Sequence, residues 1–151
     1  MDIMKRLVIA SIPLFFLAAA QAQDLPEGKG KDTFVKICGS CHDAAVVVTM
    51  HIGKDDWQTT VDDMKGRGAD GTDDEFKTIV SYLTKYQGPE VNVNKAAAQD
   101  LTTQLEITDA EAAAIVKYRT DKGNFKAFAD LQKVPGLDAK KIEPLKGRIT
   151  F

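Results

Sequence analysis

The sequence predicts an all-α chain of two small helical modules, and three observations carry that expectation. Apolar residues recur at spacings of three and four along most of its length, threonines followed three positions later by glutamate mark helix starts twice, and strand-like runs are scarce. A Gly88-Pro89 pair and a change in charge separate the halves. Residues 23–90 carry 8 Lys/Arg against 13 Asp/Glu, whereas residues 91–151 carry 10 against 8. The 151 residues, 44% hydrophobic and 28% charged, give no sign of disorder.

Taken in order, Met1 to Arg6 is a short basic start, Leu7 to Ala20 is apolar apart from Ser11 and Pro13, and Ala20-Gln21-Ala22 is a small-x-small cleavage pattern. Residues 1–22 therefore read as a secretory signal peptide, and the run is shorter than the about 20 residues that span a bilayer. Cleavage after Ala22 is expected to leave a periplasmic chain with no stable membrane span, the alternative being a retained membrane anchor. Phe34, Ile37 and Cys41 share one face of a first helix, predicted to run directly into the cysteines. Trp57, Val61 and Met64 mark a second helix, which Gly66 to Gly71 must stop. Thr72 and Glu75 open a third helix with the stripe Phe76, Ile79, Val80 and Leu83, ending by Gln87. Val46-Val47-Val48, the one strand candidate, reads more simply as a buried loop wall.

In the second half, Asn94 is expected to cap a helix through Leu101 and Leu105. Thr108 and Glu111 open the next, with Gly123 as its terminator. A short helix over 127–133 leads to Val134-Pro135-Gly136-Leu137. Asp138 begins the last helix, where Pro144 predicts a kink or an early end.

The sharpest chemical signal is Cys38-Gly39-Ser40-Cys41-His42. Two thiols at this spacing with an adjacent imidazole point to one covalently bound haem c, attached at Cys38 and Cys41 with His42 on the iron. A redox disulfide has no use for the histidine, and a zinc site needs two further ligands where only His51 remains as a histidine. Among sulfur ligands for the second axial position, cleavage leaves Met50 and Met64, with His51 as a nitrogen alternative. Trp57 reads as cavity-wall packing or as a donor to a haem propionate. From Gly30 to Gly88 the chain resembles the class I cytochrome c family, through the C-x-x-C-H run, Trp57, Met64, Arg67-Gly68-Ala69, Glu75 and Tyr82-Leu83. The resemblance implies a small cytochrome c domain over residues 23–90 with Met64 as the axial ligand opposite His42. The 22 positions between these ligands are fewer than in larger members.

Residues 91–151 resemble the helix-hairpin-helix module of the ComEA family, exported DNA receptors of bacterial competence. The likeness lies in Val91-Asn92-Val93-Asn94, Glu111-Ala112 to Arg119, Gly123-x-Phe125, Asp130-Leu131 and Val134-Pro135-Gly136-Leu137. It implies contact with a DNA backbone at Gly136, Leu137, Lys140 and Lys141. The first hairpin departs from the pattern: Leu105-Glu106-Ile107-Thr108 has no glycine, and Glu106 brings the wrong charge to a phosphate.

The leading expectation is thus a periplasmic electron carrier, not an enzyme, that takes single electrons from a dehydrogenase and passes them to a respiratory acceptor. The alternative is a haem-bearing DNA binder acting through the second module. A third reading makes that module a tether to a larger oxidoreductase.

Overall fold

The computed structural model describes residues 25–151. The proposed signal peptide lies outside the described residues. Helix α1 (Lys31–Cys38) buries Phe34 and Ile37. It stops where Gly39 returns its N–H to the Val35 carbonyl, at 2.9 Å. Cys41 therefore lies past the helix end and is exposed, instead of continuing the face of Phe34 and Ile37. A 3-10 turn over Ala44–Thr49 follows, with the Asp43 carboxylate accepting from the Ala45 N–H. Three residues per turn spread consecutive valines around this axis. Val47 is buried and Val46 is exposed, so the expectation of a buried wall holds for one of them only.

Helix α2 (Lys54–Gly66) buries Trp57 and Val61 against α3 (Asp73–Tyr86), which contributes Phe76, Ile79, Val80, Tyr82, Leu83 and Tyr86. The start of α3 is fixed locally. Glu75 N–H donates to Thr72 Oγ1 at 3.2 Å, and Thr72 N–H donates back to the Glu75 carboxylate at 2.9 Å. Thr72→Ala removes the cap and is expected to destabilise the chain by about 1 kcal/mol, read from the urea midpoint. Tyr82 stacks on Phe34 at 5.7 Å and donates its hydroxyl to the Pro26 carbonyl. Burial of that hydroxyl pushes its pKa up to about 12.

The second module consists of α4 (Ala98–Leu105), α5 (Asp109–Lys122), α6 (Phe128–Leu131) and α7 (Ala139–Ile142), followed by a 3-10 segment over Glu143–Arg148. Pro144 sits in the first turn of that segment, so the predicted early end of the last helix is observed. Two differences from the sequence reading have clear causes. Asn94 does not cap α4, whose N-cap is Ala97; its side chain instead accepts from Phe125 N–H and donates to Phe125 O. Strands β1 (Val91–Asn92) and β2 (Ile149–Thr150) pair in parallel, Val91 opposite Ile149 and Asn92 opposite Thr150. This two-residue ladder joins segments far apart in the chain, and local periodicity carries no trace of such pairing.

The buried residues form one continuous cluster from Phe34 to Ile149, so the two modules share a core. Arg148, 4% exposed, donates to the Lys85 carbonyl at the end of α3 and twice to the Pro89 carbonyl. A Cβ at Gly88 would meet the Arg148 guanidinium at 3.0 Å and the Thr84 carbonyl at 2.4 Å. Glycine is needed there so that the connecting segment can pass close to both.

Candidate functional site

Helices α4 and α5 form one hairpin pair; α6 and α7 form a second. The second hairpin is a tight turn in which Leu137 N–H donates to the Val134 carbonyl at 3.3 Å. Gly136 has φ +83 and no atom stands within 4 Å of where its Cβ would lie. Backbone conformation, not crowding, therefore requires glycine, and the turn's outer face is open to a ligand. Leu137 is half-buried and anchors the turn, while Lys140 is exposed and forms no ion pair among the described residues. Lys141 is more constrained, because its Nζ lies 3.3 Å from a carboxylate oxygen of Glu111.

Glu111 does more than its capping motif suggests. It is buried at 6% exposure and closes the capping box of α5, accepting from Thr108 N–H and Thr108 Oγ1, each at 2.8 Å. Its other oxygen accepts from Asp138 N–H at 3.2 Å. One carboxylate thus ties the first turn of α5 to the entry of α7, immediately after the glycine turn. The Thr108 hydrogen bonds, together with those from Asp138 and Lys141, hold its pKa down at about 2 against the opposing effect of burial. The T-x-x-E signal is visible in the sequence; the reach to Asp138 and Lys141 is not.

The first hairpin is built differently. Glu106 takes the left-handed conformation, φ +52, that glycine would adopt more readily. Its carboxylate pairs with Lys85 of α3. This hairpin faces the N-terminal module, so its acidic side chain is used within the chain.

In the N-terminal module, α1, the 3-10 turn, α2 and α3 surround an almost wholly apolar cavity of about 430 Å³. Cys38, His42, Met50, Trp57 and Met64 line it. Cys41 is exposed beside it, and both cysteines are free thiols. Burial raises the Cys38 thiol pKa. His42 Nδ1 lies 3.1 Å from the Asp43 carbonyl, an atom that can only accept. In the neutral ring that contact places the proton on Nδ1 and leaves the Nε2 lone pair free. Trp57 donates its indole N–H to the Gln87 carbonyl at 3.0 Å, so its ring, and not its N–H, serves the cavity. Met50 and Met64 both reach this space, whereas His51 is not among its lining residues. The residues present fit a porphyrin: an apolar enclosure of ligand size, two thiols at the edge and an imidazole with a free lone pair.

A packed α4–α5 pair followed by two short helices around a glycine turn is the arrangement of a helix-hairpin-helix module. Residues 87–150 match the family model for the helix-hairpin-helix motif. Among curated relatives, ComE operon protein 1 of Bacillus subtilis (strain 168) is 34% identical over 64 residues, covering 42% of this chain and 31% of that protein. Endonuclease/exonuclease/phosphatase family domain-containing protein 1 of Homo sapiens is 41% identical over 59 residues, 39% of this chain and 10% of its own length. The Mus musculus protein of that name matches to the same extent. The chain spans less than a third of the length of each of these relatives. No solved structure matches.

These findings correct the class expected from the sequence. The C-x-x-C-H run points to a cytochrome c, with haem, iron, metal binding and electron transport, but the family match and the relatives fall on the helix-hairpin-helix residues instead. Among the described residues no three or more His, Cys, Asp or Glu side chains are grouped to hold a metal ion. Redox partner proteins find no support in these likenesses. Residues 87–150 form a helix-hairpin-helix module within a mainly helical fold. No helix among the described residues is long and apolar enough to cross a membrane.

Proposed function

We propose that the chain binds DNA through residues 87–150, with the Val134–Leu137 turn seated on a backbone phosphate. The observation that carries this reading is Gly136 at φ +83, open on its outer face and followed by Lys140, which no acidic group among the described residues neutralises, within a segment matched to the helix-hairpin-helix motif. Backbone amides that approach a phosphate closely fix position without reading sequence, so binding is expected to be indifferent to base sequence. The first hairpin, committed to Lys85, contributes little. Most cations of the module are also engaged: Lys117, Lys133, Lys141 and Lys146 are ion-paired, and Arg119 and Arg148 are hydrogen-bonded to backbone carbonyls. Few phosphates are therefore neutralised. A salt-titrated gel shift of the full chain on a random-sequence duplex should show retardation at low salt with a log–log slope of about −3. Lys140→Gln should reduce that slope by about one. A duplex that migrates freely even at the lowest salt removes the proposal.

For the N-terminal cavity the proposed cofactor is a covalent haem, and the specific observation favouring it is the His42 ring held with Nε2 free beside Cys38 in an apolar enclosure. Cys38 and Cys41 would hold the group through thioether sulfurs, and His42 and Met64 would offer its iron a nitrogen and a sulfur. Expression with haem-attachment machinery should add the mass of one porphyrin, and the Cys38→Ser/Cys41→Ser double variant should lose it. A wild-type chain of unmodified mass rejects the cofactor. We further propose that the chain is exported after cleavage at Ala22, that residues 23–90 and 91–151 act as its two modules, and that it works by binding and not by turnover. N-terminal sequencing that begins at Gln23 is the expected result for the cleavage.

A further inference from the structure

A second cleft of about 350 Å³ lies between the modules, where the end of α3 and the 88–90 link meet α4 and the first hairpin. Its lining includes Lys54, Thr84, Lys85, Gln104, Glu106 and Arg148. The balance of charge is positive. Lys85 and Glu106 neutralise each other, while among the described residues Lys54 has no acidic partner and Arg148 has no carboxylate within 4 Å. Arg148 is 4% exposed, and burial pulls its pKa down, yet a guanidinium stays charged in a protein. Three of its five N–H groups are used on the Lys85 and Pro89 carbonyls. The Glu106 carboxylate, shared with Lys85, offsets that charge only in part, so a buried cation held mainly by carbonyl dipoles leaves a place for a further counter-charge.

Two further polar atoms are unsatisfied there. Thr84 Oγ1 and Gln104 Oε1 are closed off from solvent and have no hydrogen-bond partner among the described residues. Both side chains line the same cleft. A hydroxyl can donate, and turning the Gln104 amide over offers its Nε2 in place of the oxygen. A turned Thr84 hydroxyl and a flipped Gln104 amide would offer donors to the cleft that Lys54 and Arg148 make positive.

We propose that this cleft binds a phosphate-class oxyanion, held by Arg148 and Lys54 and hydrogen-bonded by Thr84 and Gln104. The inference does not depend on DNA binding at the second hairpin, which lies elsewhere in the module. Occupancy would bridge Lys54 of the N-terminal module and Arg148 of the C-terminal one, and so would stabilise their packing.

The test is thermal unfolding of the full chain titrated with inorganic phosphate or pyrophosphate, against sodium chloride at equal ionic strength. Phosphate is expected to raise Tm in a saturable manner beyond the chloride control. Lys54→Gln, a change at an exposed position, should weaken the response by about three- to fivefold, the scale of one exposed charge pair. Gln104→Leu removes a donor without touching charge and should weaken it in the same direction. A Tm that follows ionic strength alone, or the same midpoint in both variants as in wild type, overturns the proposal. Repeating the titration on chain saturated with a short duplex identifies the source. Loss of the phosphate response assigns the site to a nucleic-acid backbone phosphate, and an undiminished response assigns it to a free anion.

Discussion

Trp57→Ala should destabilise the chain by about 4 kcal/mol in urea unfolding at pH 7, the usual scale for emptying a buried indole position. The side chain is fully buried in α2 and packs in the cluster that also holds Ile79 and Leu83. Its loss does two things. It enlarges a cavity already about 430 Å³, and it removes the donor from the Gln87 carbonyl, which also accepts from Ile52 N–H at 3.2 Å. Gln87 is itself buried and begins the segment matched to the helix-hairpin-helix motif. The substitution therefore loosens the joint between the modules as well as the N-terminal core. Trp57→Phe separates the two contributions: it retains most of the apolar contact and gives up the hydrogen bond, for which about 1 kcal/mol is expected. If the phenylalanine variant were as unstable as the alanine one, the Gln87 bond and not the packing would dominate. Against a typical total of about 5–15 kcal/mol, the alanine loss is a large fraction of all the stability the chain has.

The parts of this fold that the sequence made legible are those with local causes. The α3 and α5 starts follow from Thr72 with Glu75 and Thr108 with Glu111, because a capping box closes within four residues. The early end of the last helix follows from Pro144, which cannot supply the next backbone donor. What stayed hidden depends on partners far along the chain. Asn94 has the composition of a cap, and only the position of Phe125 shows that its amide is used elsewhere. Arg148 near a chain end reads as a solvated charge until the Lys85 and Pro89 carbonyls are seen around it. Helical periodicity places Cys41 on a buried face because the pattern carries no strong stop at Gly39, whereas the backbone leaves the helix there.

The candidate sites divide along the same line. Gly136 is recognisable because a positive φ narrows the choice of residue, and the C-x-x-C-H spacing marks Cys38 and His42, which the fold brings to one cavity. The absence of glycine in the first hairpin is also legible, but its consequence is not. Only the position of α3 shows that Glu106 meets Lys85. The residue that would offer a phosphate the wrong charge serves as a link between modules, which accounts for an acidic side chain at that turn.

Glu111→Ala should cost about 3 kcal/mol, the scale of hydrogen bonds to a buried charged acceptor combined with a lost cap. Four groups lose their acceptor together: Thr108 N–H, Thr108 Oγ1, Asp138 N–H and Lys141 Nζ. The pH dependence distinguishes this from simple loss of packing. The folded-state pKa is about 2, below the ordinary value of 4.5, so the ionised form is the one that folding favours. The stabilisation is then complete above about pH 4.5 and disappears as pH falls towards 2. Glu111→Gln keeps the shape and removes the charge, so its deficit relative to wild type should be largest near neutrality and shrink across that window. A deficit that stays constant from pH 6 to pH 2.5 would reject the electrostatic account. The same carboxylate holds the entry of α7 behind the glycine turn, so at pH 7 and low salt Glu111→Gln should also weaken duplex retention while leaving the fold intact. In wild type Lys141 is restrained by Glu111; in the variant it is released as a free cation that could strengthen DNA binding. Weaker retention despite this added free charge would show that the position of the turn outweighs the count of cations around it.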